Sequence, residues 1–535
     1  MSTTDGSEPP PGHGSDALSA RLLRGPLTAA LIALALWQVA CWLPHYLTWP
    51  WFADHDVFAT AAQAWDAGGK PYRDLRGNNF PGTTYAFWVL GKAFGWGKTP
   101  ALFAADAMLL GAFAGLVLTW SRRRLKSSLP GVVGLVLLLS YYLGLDYTQV
   151  AQRDWHAPLF AASALLLAQT WPGRGGWVAA AFAFAAALTI RPHPLLLLPA
   201  MASAIDEGAR VPGGPFSQSL RAGLLWGLAV VALVGVAFAP IAVAGVLGDL
   251  VAGVRLTGFG NKYNRITVGS FAKELTLPLL ELKILAVPAV IVLLRPSAST
   301  QDHRMARTWL LALAGAVLYR PISPLPHAYL THPVMILWSI NAAVATRLLL
   351  NGPGLVATAR LAAILLILGL GATLRPRFCN PKAALEAVAM LRDGRAVPRP
   401  LGYVTNPAVG LAAKYDWGEY RDMLAYLRDR LPPGTRVANA LKGLPAVTGP
   451  AARLPAFPAE SLAWLRMVAP EDQATFAEVL EATPDSVVVW IPSEEQTDPN
   501  FALTILTATI QRLYEPDAHF GPIEIWRRKP AEVRP

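Results

Sequence analysis

Between residues 27 and 374 the chain returns repeatedly to apolar runs that approach the length needed to cross a bilayer, about 20 residues at 1.5 Å rise each. Backbone N–H and C=O groups in lipid must be bonded within their own segment, so runs of this length read as helices. Spans are expected near 27–48, 99–120, 128–146, 157–171, 219–245, 276–294, 306–320, 327–348 and 354–374. With 535 residues, 53% of them hydrophobic and only 15% charged, the chain is too long and too apolar for one soluble core.

Two runs do not fit a plain span. TTYAFWVLGKAFG at 83–95 is short and carries Lys92, so it reads as a partial or interfacial helix. The run 177–204 is interrupted by RPHP at 191–194, and two prolines there disfavour a continuous helix. If that run is a hairpin of two short helices and the N-terminus is cytoplasmic, the basic residues sort onto one side. Arg122, Arg123, Arg124, Lys126, Arg174, Arg210, Arg295, Arg304, Arg307 and Arg347 then face the cytoplasm, as the positive-inside rule requires. The loops at 49–82, 146–158, 246–275 and 320–327 share the outer face with the C-terminal region. A single span at 177–204 inverts everything after it.

The fold class expected is therefore a mainly α, polytopic membrane protein with about 10 to 12 membrane helices and a small C-terminal α/β domain. Residues 1–26 read as a disordered cytoplasmic N-terminus, since 1–20 are rich in Pro, Gly, Ser and Asp. Residues 27–375 form the transmembrane domain, in which the outer loop 49–82 carries an interfacial helix. Residues 380–535 alternate helix-like stretches (418–431, 471–482, 501–514) with strand-like runs (RVANAL, SVVVWIP, IEIWRR) and form an extracytoplasmic domain. The net charge of +11 lies largely in short connections between apolar runs, so topology rather than nucleic acid explains that part of it.

Several chemistries find no motif. Cys41 and Cys379 make neither a disulfide framework nor a metal-ligand spacing, and the 9 histidines show no ligand cluster. GFG at 258–260 follows no strand, so no nucleotide is expected, and nucleophile motifs are absent.

What remains is acid, base and cation on one face of a membrane. Asp54 and Asp56 follow the first span and flank His55; from local sequence alone they read as caps of the interfacial helix. Asp154, beside Arg153, occupies the second outward loop, where charges are often merely solvated. Arg191, His193, Arg320 and His327 lie in or beside apolar runs next to prolines, which suits binding of an anion, with snorkelling as the plain alternative.

Taken in order, these segments resemble the GT-C glycosyltransferases. The stretch D-H-D-V-F at 54–58, then G-G-K-P-Y-R-D at 68–74, then P-G at 81–82, resembles the family's first outer loop. Q-R-D-W-H at 152–156 looks like its second acidic loop, and the likeness continues in LTIRPHPLLLLP, SPLPHAYLTHP and LPPGTRV. The nearest types are the protein mannosyltransferases, the aminoarabinose transferases and the glycosyltransferase family 39-like bacterial members. The resemblance favours the hairpin topology and implies an inverting transfer of a sugar from a polyprenyl-phosphate donor to an acceptor glycan, lipid or protein. It implies Asp54 as general base, with Asp56 and Asp154 as further acidic or metal-binding candidates and Tyr72, Arg73, Asp74, Pro81 and Gly82 as the loop motif.

Cations for the donor phosphate are sought in Arg153, Arg191, Arg320, Lys262 and His327. Close relatives carry an aspartate and a lysine where this chain has Gly77 and Asn79, so a cation is missing from its expected place, and Arg73 or Arg76 could substitute. No cofactor is required, although Asp54 and Asp154 could share a divalent cation. Expected partners are the lipid-linked donor, the acceptor and membrane lipids, with no nucleic acid, and the expected location is the cytoplasmic (inner) membrane. The alternatives are a multi-span transporter, for which broken helices are also typical, and a membrane-tethered glycan-binding protein.

Overall fold

The computed structural model describes residues 13–209, 216–259, 267–269, 272–273, 290, 300–322, 328–349, 380–393, 416–441, 446–462, 464–492 and 503–530. The expected spans at 276–294 and 354–374, together with Lys262 and His327, lie almost wholly or wholly outside these residues.

Helices dominate the first part: α1 (His13–Tyr46), α2 (Ala53–Asp66), α3 (Pro81–Phe94), α4 (Thr99–Arg124), α5 (Leu129–Tyr142), α6 (Arg153–Thr170), α7 (Arg174–Ile190), α8 (Leu198–Ala209), α9 (Phe216–Val243), α10 (Leu247–Phe259), α11 (Thr300–Ile322) and α12 (His332–Leu349). Among the described residues, three are long and apolar enough to cross a membrane by length and composition, within α1, α4 and α9. The helix at the N-terminus already begins at His13, inside the stretch read as disordered. DALSARLLR is made largely of good helix formers, and it extends the apolar helix that follows.

The interrupted run reverses direction. Helix α7 ends at Ile190, a 3-10 turn covers His193–Leu197, and α8 returns. Arg191 reaches Asp154 at the start of α6, whereas Gly208 at the end of α8 lies against Pro172 and Trp177 at the start of α7. The short run 83–95 is the greater part of α3, which lies along the same end of the bundle as Asp54. Its start touches Thr189 at the end of α7, the loop after it touches Pro450 and Ala452, and Lys92 pairs with Asp66 of α2 at 2.6 Å. Arg122, Arg123 and Arg124 close α4 at the opposite end of the bundle.

Helix α13 (Pro381–Arg392) packs against α1 and precedes the C-terminal unit, which holds α14 (Trp417–Asp429), α15 (Gln473–Glu481), α16 (Thr504–Leu513) and a four-stranded sheet. The strands are β1 (Arg436–Asn439), β2 (Ser486–Trp490), β3 (Tyr514–Phe520) and β4 (Ile523–Arg528), in the order β1-β2-β4-β3, with β1 parallel to β2 and the remaining pairs antiparallel. Alternation along β2 explains the layering: Val487 and Val489 pack with Met423 and Leu427 of α14, while Val488 and Trp490 pack with Phe476, Leu480 and Ile510 on the other face. With both faces covered, SVVVW is apolar at nearly every position. The run IEIWRR is β4, whereas β3 (YEPDAHF) carries no strand signal. It is the sheet's edge, with a bulge at Pro516/Ala518, and edges tolerate proline and charge.

Candidate functional site

Helix α2 starts with Phe52 in an extended conformation, and its first turn holds Asp54, His55 and Asp56, where carboxylates are favoured by the free N–H groups. Neither aspartate caps the helix. That task falls to His55, whose Nδ1 accepts the Phe52 N–H at 3.1 Å, and burial pushes its imidazole down to about 4, keeping it a neutral acceptor. Asp56 instead points to the C-terminal unit. Its Oδ2 accepts the N–H groups of Val447 (2.8 Å) and Thr448 (3.3 Å), and its Oδ1 accepts that of Gly449 (2.5 Å). A Cβ at position 449 would come within 2.9 Å of that oxygen, so the close approach requires glycine. Burial pushes the Asp56 carboxyl up to about 6, with the three N–H bonds pulling the other way.

Asp54 is half-buried, and its Oδ2 is buried with no hydrogen-bond partner among the described residues. Facing it is the start of α6. There Asp154 is fully buried: its Oδ2 accepts Arg191 Nη2 at 2.5 Å, its Oδ1 accepts the Tyr319 hydroxyl, and Arg153 Nε stands 3.9 Å away. Arg191 is there because α7 stops at the proline pair, leaving it extended with its N–H on Ala187. Arg153 lies over the Phe58 ring of α2 at 5.4 Å, which ties α6 to α2. Tyr329, buried in a 3-10 turn (Ala328–Thr331), joins the two acidic loops. Burial, then the charges of Asp54 and Asp154, hold its phenol well above the ordinary tyrosine range.

The arrangement has unspent hydrogen-bonding capacity. Arg153 Nε, Arg191 Nε and His193 Nδ1 are buried without partners among the described residues. Beside them a pocket lined by Asp154, Arg191 and His193 is otherwise walled by apolar groups such as Pro158, Leu197, Ala316 and Leu337. Such a site offers cationic donors to an anion whose remaining surface is apolar.

Other expected residues are engaged elsewhere. The Tyr72 hydroxyl donates to Asn79 O at 2.8 Å, and Asp74 accepts the Lys70 N–H at 2.8 Å, so both shape the loop. Arg73 pairs with Asp249 at 2.9 Å, and Arg76 pairs with Asp472; each substitute for the missing cation thus holds a structural partner. Pro81 begins α3, and Gly82 meets the backbone of Thr189 so closely that a side chain there would collide. Arg320 sits at the end of α11, next to Tyr319. Among the described residues no group of three or more His, Cys, Asp or Glu is placed to hold a metal ion.

Two groups escaped the sequence reading. Asp106, buried in α4, receives the hydroxyls of Tyr46 (2.6 Å) and Tyr142 (2.7 Å), and His156 Nε2 lies 2.7 Å from its other oxygen. It is the one acidic residue within an otherwise apolar span, a signal that was there to be read. Glu460 comes from the C-terminal unit: its Oε2 accepts Asn79 Nδ2 at 3.0 Å, next to a mixed backbone pairing of Arg76 with Ala459. Burial pushes its carboxyl up to about 8, against the pull of Asn79 and of the Arg153 charge. Nothing in its local sequence singles it out.

No protein-family model and no curated protein matches the chain by sequence. Two solved structures match it in fold, both of ArnT from Cupriavidus metallidurans, one in the apo state and one bound to undecaprenyl phosphate. Each has a TM-score of 0.54 and 14% sequence identity, covering 94% of this chain and 98% of ArnT. The chain therefore has an ArnT-like polytopic membrane fold, a mainly helical bundle with a small sheet near its C-terminus.

Proposed function

We propose that the protein transfers a sugar from a polyprenyl-phosphate carrier to an acceptor hydroxyl at the outer face of the cytoplasmic membrane. The observation that carries this reading is the unpartnered Asp54 oxygen beside two arginines with unspent N–H groups, at the head of an apolar pocket. The fold is that of an aminoarabinose transferase, and one matched structure holds undecaprenyl phosphate, an apolar chain ending in an anion.

Asp54 takes the acceptor's proton as the acceptor oxygen bonds to the anomeric carbon. On the opposite side the bond from that carbon to the phosphate oxygen breaks, so configuration inverts. The electron pair leaves with the polyprenyl phosphate, whose added charge Arg153 and Arg191 stabilise through charge-assisted hydrogen bonds. Asp154 holds Arg191 in place and stays ionised against it. The apolar pocket lets the first isoprene units remain out of water while the phosphate meets the arginines. The cytoplasmic assignment of the opposite end rests on its arginines, Arg122, Arg123, Arg124 and Arg347 among them.

The test is transfer in proteoliposomes supplied with a polyprenyl-phosphate sugar and a membrane extract as acceptor source. Asp54→Asn is expected to abolish transfer in a protein that still folds and inserts. Full transfer by that variant overturns the assignment.

A further inference from the structure

A second cleft lies between α2 and the C-terminal unit, one helix face away from Asp54. Ala53 and Val57 contribute to its wall, and its polar lining comes from Asp56, Asn439, Thr448, Glu460 and Ser461, with Phe457 as an apolar surface. No lysine or arginine lines it among the described residues. This inverts the chemistry of the pocket beside Arg191, where cationic donors meet apolar walls.

Glu460 is arranged to face that cleft. Gly77 leaves room for it, because a Cβ at that position would run into the Glu460 carboxyl. Asn79 holds one oxygen, and the other has no hydrogen-bond partner among the described residues. Asp56 is saturated by backbone N–H groups, so Glu460 is the carboxyl left available to a ligand. We propose that this seam is the acceptor subsite and that it takes a carbohydrate that is uncharged or carries an amine, with Glu460 as its principal polar contact. The proposal rests on the transfer reading above and adds the acceptor's chemical class to it.

The physical argument is one of sorting by charge. A phosphorylated acceptor entering the seam would meet two carboxyl groups and no cation, whereas hydroxyl and amine groups find acceptors in Glu460, Ser461 and Asn439. Because burial keeps Glu460 protonated to about pH 8, its O–H also serves as a donor to a sugar oxygen at neutral pH. Phe457 offers the apolar surface against which a pyranose ring face packs. The donor's phosphate is directed to the arginines and the acceptor to the carboxyl side, so neither substrate occupies the other's place.

Saturation-transfer NMR on the full chain in nanodiscs tests this without requiring turnover. The probes are cellobiose, a glucosamine disaccharide and glucose 6-phosphate. The first two are expected to bind and the phosphate ester not to; Glu460→Ala and the cleft-filling Ser461→Trp should each weaken binding roughly tenfold or more. Undiminished signals in Ser461→Trp, or equal binding of glucose 6-phosphate, overturn the proposal. Asp54→Asn is expected to bind cellobiose normally, so transfer surviving in that variant would sink the transfer reading while leaving the seam intact.

Discussion

Both ends of the helical bundle bury a carboxylate against arginine, yet they finish the job differently. At the end away from Asp54, Glu207 accepts from Gln169 (3.1 Å), Arg124 (3.3 Å) and Thr308 (3.2 Å). Gln169 Oε1 in turn receives the indoles of Trp120 (2.9 Å) and Trp309 (3.1 Å), and Ser203 bonds Thr308 at 2.7 Å. That network is closed upon itself. At the other end Asp154 is equally well held, but around it Arg153, Arg191, His193, His55 and Asp54 each keep one buried polar atom without a partner among the described residues. Orphaned polar groups are costly, so a cluster of them marks a place where a ligand completes the bonding.

Substitutions at the two ends should therefore separate stability from turnover. Asp54→Asn has the largest expected effect, a loss of about 10²–10⁴ in transfer rate with little change in melting temperature. Arg191→Ala should lose transfer and also destabilise the protein by about 3 kcal/mol, because it strips the buried Asp154 of its closest cation; Arg191→Lys should recover much of the stability but little of the rate. Glu207→Gln should cost about 1–3 kcal/mol in thermal unfolding while turnover per folded molecule stays constant. Reduced turnover at unchanged melting temperature in that variant would erase the contrast between the two ends.

The smallest effect is a pH dependence. Glu460 has its carboxyl raised from 4.5 to about 8, so the folded state binds its proton more tightly than the unfolded state does. The stabilisation is fully present below pH 4.5 and is lost as pH rises through about 8. Melting temperature should accordingly fall between pH 6 and 9 in the unmodified chain, and Glu460→Gln should flatten that slope.

The bundle was largely legible in the sequence because span length and proline position are local signals. RPHP at 191–194 is the clearest instance: two prolines end one helix, and the chain turns back. Edge strand β3 was not legible, since a strand paired on one side needs no apolar alternation. The acidic loops could be picked out as ionisable groups bordering apolar runs, but their partners could not. Tyr319 lies 165 positions from Asp154 and Glu460 lies 381 from Asn79, and no local pattern links them. The same distance hid the task of Asp56. A carboxylate in the first turn of a helix looks like a cap until the amides of 447–449 are folded onto it.

That last contact also sets an order of assembly. Asp56 lies 391 positions ahead of the first amide that binds it, so during synthesis the membrane helices are complete well before the residues that seat the start of α2. Until residues 447–449 arrive, the carboxylate next to Asp54 remains in water and α2 has no roof. A chain interrupted anywhere before that point inserts its spans but lacks one wall of its cleft, so the nascent protein is dormant until its final domain closes over it.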